Sequence, residues 1–456
     1  MHKINPTILR EYDIRGIVGK DLFSQDALLL GKAIGTRSAS SEHKTVIIGY
    51  DGRHTSPEMR HFLIEGLIST GIKVIDIGLV PTPMLYYAAC TIDNDYAIVI
   101  TASHNPSEYN GFKFTKAGKS FFGADIKTIA KEAMSSNFVK GTGSIEGINI
   151  TEKYLDRITE DIIINPNLKV VWDPANGAAA NLNNDLVKKL AGTHTVINNK
   201  VDGDFPNHFP DPTIEENLEQ LKAELKKQNA DIGIAFDGDA DRVGVIDSQG
   251  RVIWGDQLLT FFALDILKTT PNATIIADVK ASNVFVDKVG AAGGRPIIWR
   301  TGHSLIKTKM LEENALLAGE MSGHIFFKDK YYGFDDALYA GLRLLDIISR
   351  NNIKLDDFLD SLPKTYATNE IKLPCSEAEK FQIVKAIQDQ LRDEKIEFND
   401  IDGARVTNEN GWWLVRASNT SAVLVVRCEA NSAEKLDLLK AEINHYINPH
   451  NLALPN

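Results

Sequence analysis

One pattern constrains the fold of this chain more than any other: a short β-branched run that ends in an aspartate and is followed by a loop and a helical stretch. It occurs at Val46-Ile47-Ile48-Gly49-Tyr50 before Asp51, at Val170-Val171-Trp172 before Asp173, and at Ile275-Ile276-Ala277 before Asp278. Apolar runs this short, bounded by turn residues and alternating with helices, read as buried strands of an α/β sheet. The second helix is expected to begin at Ser56-Pro57-Glu58, with Ser56 as N-cap and Pro57 at the first helical position. A second recurrence sits inside each segment. Ala97 to Ile100 feeds a loop at Ser103, Ile232 to Phe236 feeds one at Asp237, and Ala315 to Ala318 feeds Gly319-Glu320-Met321-Ser322. One α/β cassette used three times would set three polar loops at the carboxyl ends of strands, the edge where open α/β sheets bind ligands.

Breaks fall near Gly141-Thr142-Gly143, Asp247-Ser248-Gln249-Gly250 and Ser361-Leu362-Pro363. They divide the chain into segments 1–145, 146–250, 251–363 and 364–456. The last segment has a different texture. A helical stretch from Ser376 to Arg392 precedes two strand-like runs, Gly411 to Arg416 and Ala422 to Arg427, and a helix from Ser432 closes it. That is a small α+β domain. The expected fold is thus α/β: three related α/β domains with mixed sheets, plus a smaller C-terminal α+β domain.

The sharpest chemical signal is Asp237-Gly238-Asp239-Ala240-Asp241-Arg242. Alternate carboxylates on an extended chain share one face, and their mutual repulsion is relieved by a hard divalent cation such as Mg²⁺. An EF-hand is excluded, because Arg242 and Ser248 stand where that loop needs Gly and Glu. Arg416-Ala417-Ser418-Asn419-Thr420-Ser421 sets a guanidinium, hydroxyls and an amide in one turn, a donor set for phosphate. Gly319-Glu320-Met321-Ser322-Gly323-His324 offers a carboxylate and a hydroxyl to sugar hydroxyls and leaves His324 as an acid or base. Gly118-Lys119-Ser120 is not a nucleotide P-loop, since Lys113 stands where that motif needs Gly. Together a cation site, a positioned Ser103, a phosphate turn and a hydroxyl-reading loop point to phosphoryl transfer to or from a phosphosugar.

The net charge of −11 speaks against non-specific nucleic-acid binding, so bound phosphate must be held by local cations. Cys90, Cys375 and Cys428 form neither a disulfide framework nor a CxxC metal site, which fits a reducing cytosol. No apolar run of about 18 residues exists to span a membrane, and the N-terminal residues lack the apolar core of a signal peptide. A cytoplasmic enzyme acting on a small molecule, with no nucleic-acid or membrane partner, is expected. The sequence leaves the oligomeric state open and is compatible with a monomer.

Four motifs, Thr101-Ala102-Ser103-His104-Asn105-Pro106, the Asp237–Arg242 run, Gly319–His324 and Arg416–Thr420, occur in this order over the whole chain. In kind and order they resemble those of the α-D-phosphohexomutases. The resemblance implies four domains around a central cleft. It makes Ser103 a phosphoserine and adds it to Asp237, Asp239 and Asp241 as a Mg²⁺ ligand. It sets Lys113 and Arg242 beside the transferred phosphate, and it gives His324 the role of general acid/base. By the same carry-over Glu320 and Ser322 contact sugar hydroxyls, and Arg416, Ser418, Asn419 and Thr420 clamp the phosphate that does not react. Tyr12, Arg15, Lys280, Gly302 and His303 line the cleft. The form Gly-Glu-Met-Ser-Gly-His is similar to the bacterial phosphomannomutase/phosphoglucomutase branch. It implies reversible transfer between the 1- and 6-positions of mannose or glucose phosphates, with a hexose 1,6-bisphosphate as intermediate and activator. The alternatives are a phosphoglucosamine mutase, a metal-dependent sugar-phosphate phosphatase, or a silent sugar-phosphate binder.

Overall fold

The computed structural model describes residues 2–135, 137–419 and 421–455. The cassette recurs in space as it does in sequence. Strand Thr45–Tyr50 lies between Lys73–Leu79 and Tyr96–Ile100, parallel to both, and Tyr109–Lys116 runs antiparallel on the far side of Tyr96–Ile100. Lys169–Asp173 has the same neighbours in Thr193–Val196 and Ile232–Phe236, with Val243–Ile246 antiparallel beyond. Thr274–Asp278 repeats it with Arg295–Trp299, Leu317–Gly319 and antiparallel Ile325–Phe327. Each sheet is therefore mixed, with the aspartate strand paired on both sides. The strands that feed the functional loops are buried along their whole length, so both faces must be apolar. That is why they read as unbroken apolar runs.

Parallel pairing puts the aspartates and the functional loops at one edge. There each aspartate ties its own loops. Asp51 accepts from the Arg53 backbone and side chain and from the Ser56 hydroxyl. Asp173 lies 2.9 Å from His208 Nε2 and accepts from Asn198 and the Ala175 amide. Asp278 accepts from Thr301 Oγ1 and the Met321 amide. The Asp51 contact also moves a helix start. Helix Ser56–Ile68 has Thr55 at its N-cap and Ser56 as its first residue, because the Ser56 hydroxyl is 2.6 Å from Asp51 and does not cap the helix.

Two packing features were not legible in the sequence. Helix Ala337–Asn351 follows the third sheet but packs on the second: a Cβ added at Gly341 would sit 3.3 Å from Trp172 and 3.4 Å from Ile234. One apolar core consequently runs from Ile47 and Val99 through Trp172 and Phe236 to Ile275 and Phe327, so the first three units share it. The fourth has its own core and an antiparallel sheet ordered Tyr366–Ala367, Val423–Ala430, Gly411–Ala417, Ala404–Asn408, Phe398–Asn399. Period-two alternation divides the Trp412-Trp413 pair between its faces. Trp413 joins the fourth core, while Trp412 packs on Val279 of the third unit under the Arg405 guanidinium, 4.0 Å from its ring. Loops of all four units surround one central cleft of about 820 Å³.

Candidate active site

Ser103 follows strand Tyr96–Ile100 in a left-handed backbone conformation with φ of 52°. That geometry costs a non-glycine residue about 1–2 kcal/mol, so something must hold the loop. Arg53 does. Buried to 1% exposure, it donates to Asp51 Oδ2 and to four backbone carbonyls, those of Ser103, Asn105, Pro106 and Tyr109. All five guanidinium N–H groups are thereby used. The Ser103 hydroxyl donates to Asp237 Oδ2 at 2.7 Å, with His104 Nδ1 3.2 Å away. The loop presses against the metal-loop candidate so closely that a Cβ on Gly238 would come within 2.5 Å of the Ser103 carbonyl. Glycine is required there for the hydroxyl to reach the carboxylate.

Asp237, Asp239 and Asp241 are fully buried below the cleft floor, with their candidate ligand atoms within 4.8 Å of one another. Lys113, on the antiparallel strand Tyr109–Lys116, reaches into them and donates to Asp239 Oδ2 at 2.7 Å and Asp241 Oδ2 at 2.5 Å. Burial would lower the Lys113 pKa, but Asp239, Asp241 and Asp237 outweigh it and hold it above its ordinary value. Burial and the charges of Asp241 and Asp239 push Asp237 well above the usual carboxylate range. Against the burial that would raise it, Lys113 holds Asp239 below that range. Lys113 is thus part of the acidic cluster and its counter-charge, a placement the sequence did not disclose. The other oxygens, Asp239 Oδ1 and Asp241 Oδ1, are buried with no hydrogen-bond partner. Two unpartnered carboxylate oxygens beside a hydroxyl, with no sulfur or imidazole in the set, fit a hard divalent cation.

The remaining predicted residues gather on the cleft walls. Arg242 and His324 face each other, Arg242 Nε donating to His324 Nε2 at 3.0 Å. Glu320 accepts from the Gly302 amide at 2.9 Å and from the Ser322 hydroxyl at 3.0 Å, so the two residues expected to contact sugar hydroxyls are joined. Gly302 has φ of 137°, and a Cβ there would strike the Tyr12 ring. Tyr12 spans three units: its hydroxyl donates to the Thr301 carbonyl and accepts from Asn419, both at 2.8 Å. Arg15 donates to Asn105 at 2.5 Å and pairs with Asp13. Burial and neighbouring cations push His104 and His303 well below their ordinary range, so both are neutral at pH 7.

On the far wall Arg416 is held by Asp402, Nε donating at 3.0 Å, while Asp402 also accepts from the Thr301 amide. Ser418 accepts from the Ser421 amide. Lys280 donates to Glu370 at 2.9 Å, and its ammonium holds that carboxyl down to about 2. Thr420 lies outside the described residues. Asp237, Asp239 and Asp241 do not line the cleft; Tyr12, Arg15, Ser103, Lys113, Arg242, Lys280, Gly302, His303, Glu320, Ser322, His324, Arg416, Ser418 and Asn419 do.

Sequence reasoning missed Arg53, Glu370, Asp402, Lys307 and Asp335. Arg53 had a signal, two residues after the first cassette aspartate. Glu370 and Asp402 act across units, and Lys307 and Asp335 come together behind His324 within the third unit only through its folding, so no sequence spacing points to them.

Models of the phosphoglucomutase/phosphomannomutase family match the chain in order: alpha/beta/alpha domain I over residues 6–140, domain II over 152–250, domain III over 254–366 and the C-terminal domain over 370–445. A curated relative from Pseudomonas aeruginosa, named phosphomannomutase/phosphoglucomutase, is 42% identical over 98% of this chain and 97% of its own. One from Neisseria gonorrhoeae, named phosphoglucomutase, is 39% identical over 99% of both. A crystal structure from Burkholderia thailandensis, titled a phosphoglucomutase/phosphomannomutase family protein, superposes with a TM-score of 0.92 at 39% identity, covering 97% of both chains.

Proposed function

Because this chain belongs to the phosphoglucomutase/phosphomannomutase family of α-D-phosphohexomutases, we propose that it moves a phosphoryl group between the 1- and 6-positions of mannose or glucose phosphates through Ser103. The observation that carries this reading is one cleft that joins a held Ser103 hydroxyl at one end to the Arg416 turn at the other. In the forward half-reaction the bond from Ser103 Oγ to phosphorus breaks as a substrate hydroxyl bonds to that phosphorus, giving a hexose 1,6-bisphosphate. The hydroxyl proton passes to His324 Nε2, which is released as Arg242 turns from the imidazole to the phosphate. The bisphosphate then reorients, its other phosphate goes back to Ser103, and the proton is returned. An externally added hexose 1,6-bisphosphate serves as activator by loading Ser103.

Asp237, Asp239, Asp241 and Ser103 would hold Mg²⁺, whose chemistry there is neutralisation of phosphoryl charge. Lys113 and Arg242 add fixed positive charge beside it. Arg416, Ser418, Asn419 and Thr420 hold the phosphate that is not reacting, whichever end of the sugar carries it. Glu320 and Ser322 read hydroxyls that glucose and mannose share. Two contacts, Tyr12 to Asn419 and Lys280 to Glu370, tie the fourth unit to the first and third beside the site, and closure there would keep water from the phosphoryl group. We assign the functional segments as 1–145, 146–250, 251–363 and 364–456. A cytoplasmic setting is supported by three unpaired cysteines. Among the described residues no helix is long and apolar enough to cross a membrane.

A coupled assay with glucose 1-phosphate and mannose 1-phosphate, with and without bisphosphate, tests the reading. Turnover that needs the bisphosphate supports a mutase, while release of inorganic phosphate as the main product would make this a phosphatase. Two further results are expected. Arg416→Ala will weaken kcat/KM for both sugars by a similar factor, about 1.5–3 kcal/mol for a lost charged hydrogen bond. A change of more than about tenfold in the preference between the sugars, roughly 1.4 kcal/mol, would assign sugar reading to that turn. Mg²⁺ will raise the melting temperature of the wild type by mass action, and Asp241→Asn will lose most of that rise. An equal rise in the variant would place the cation elsewhere.

A further inference from the structure

His324 is held from both ends of its ring. Nε2 faces the Nε–H of Arg242 at 3.0 Å. A guanidinium only donates, so Nε2 must present its lone pair. Nδ1 faces two buried carboxylate oxygens, Asp335 Oδ2 at 3.0 Å and Asp241 Oδ1 at 3.6 Å. Neither Nδ1 nor Asp335 Oδ2 meets hydrogen-bond geometry, but a lone pair on Nδ1 would point at negative charge, so the proton is favoured on Nδ1. The Arg242 hydrogen bond at Nε2 and the carboxylate charge beside Nδ1 favour the same neutral tautomer, and the ring, only 3% exposed, is screened from solvent that would loosen the choice.

Asp335 is the better placed of the two carboxylates. Its other oxygen accepts from Lys307 Nζ at 2.9 Å, and that ammonium also lies 4.2 Å from the centroid of the Tyr86 ring. The backbone is fixed on both sides. Asp335 bridges to Phe326, two residues after His324, and Asp336 caps the buried helix Ala337–Asn351 by accepting from the Tyr339 amide. Asp335 itself is fully buried. It therefore has no freedom to leave the imidazole.

We propose that Asp335, clamped by Lys307, is a positioning residue that fixes His324 in the Nδ1–H tautomer and so leaves Nε2 as the atom that exchanges a proton with substrate. This rests on the reading of His324 as acid/base. Asp335 touches no reacting atom. It holds the ring, as a carboxylate behind an imidazole does elsewhere. In Asp335→Asn, Lys307 retains the amide oxygen and turns the NH₂ toward Nδ1. The ring proton must then move to Nε2, against the Arg242 N–H.

The test is nitrogen NMR of the full chain labelled at histidine, with His324 identified by the signal lost in His324→Gln. The wild type should carry its proton on Nδ1, and a proton on Nε2 or on both nitrogens overturns the proposal. Asp335→Asn should show the Nε2–H form, with kcat lowered about 10²–10⁴-fold as when an imidazole is put in the wrong tautomer and KM within about threefold if binding is spared. A folded Asp335→Asn with wild-type kcat overturns it, and should that variant fail to fold, the wild-type spectrum decides alone. In the His324→Gln background Asp335→Asn should add no further loss; an added loss shows that Asp335 acts by another route. If His324→Gln itself keeps full turnover, the acid/base reading falls while the tautomer assignment stands on its spectrum. Loss of the His324 signal on adding Zn²⁺ alone would mean that Asp241, His324 and Asp335 form a metal site, and would also overturn it.

Discussion

Ser103→Ala will lower turnover by at least about 10³-fold, roughly 4 kcal/mol of transition-state free energy, and will lower the melting temperature by only a few degrees. The two halves of that result have separate causes. Activity falls because alanine has no oxygen to carry the phosphoryl group, and no other hydroxyl is set against the Asp237 carboxylate at 2.7 Å among the described residues. The fold is kept because the loop is built by Arg53 through backbone carbonyls, which alanine retains, and the left-handed φ of 52° is as costly for Ala as for Ser. The variant gives up one hydrogen bond to a buried carboxylate, worth about 1.5–3 kcal/mol, and leaves Asp237 Oδ2 without that donor. Mass spectrometry after incubation with bisphosphate should find phosphate on Ser103 in the wild type and none in the variant. Label on another residue, or a fully active alanine variant, would remove Ser103 from its role.

Arg53 should behave in the opposite way, damaging stability and activity together. Arg53→Met fills most of the volume but takes the guanidinium donors from four loop carbonyls and from Asp51 Oδ2, while Asp51 Oδ1 keeps the residue 53 amide and the Ser56 hydroxyl. Removing one partner of a buried ion pair costs about 3–5 kcal/mol, and the stranded carbonyls add to it. The melting temperature should therefore fall, and limited proteolysis should cut near residues 103–109. Turnover should fall with it, since Ser103 is no longer carried at the edge of the sheet. Arg53→Lys should rescue little, because an ammonium has three donors around one point and no planar fork. A lysine variant that melts and turns over like the wild type would show that charge alone matters there, and that the five-donor geometry does not.

The parts of this protein that depend on local rules could be read from the residues. Unbroken apolar runs announced the buried parallel strands, because a strand covered on both faces has no polar positions. Three such runs, each ending in an aspartate and each paired with a second run ending in a polar loop, were enough to foresee three like sheets with their loops at one edge. A helix from Ser432 was legible, and in the structure Ser432 caps it by accepting from the Lys435 amide. Ser56 misled because its hydroxyl had a better partner in Asp51, reached only once the first strand and the second helix are packed. The alternation of Trp412 and Trp413 is local; that Trp412 would bury itself under Arg405 against the third unit is not.

Taken by itself, then, the sequence determined the cassette, the order of the four motifs, the kind of donor each loop presents and the chemistry those donors share. Each of these depends on a few neighbouring residues and on strand or turn geometry, which the chain carries wherever it goes. Only the tertiary structure decided which charges meet. It sank Lys113 between Asp239 and Asp241, set Asp402 behind Arg416 and Glu370 against Lys280, closed Arg53 around the Ser103 loop, and brought Asp335 to the back of His324. All but the His324 pair join residues at least fourteen positions apart or in different units, and even Asp335 reaches the imidazole only because its loop doubles back on the strand Ile325–Phe327. Electrostatic partners are chosen by distance and burial in space, and neither is encoded in the spacing along the chain.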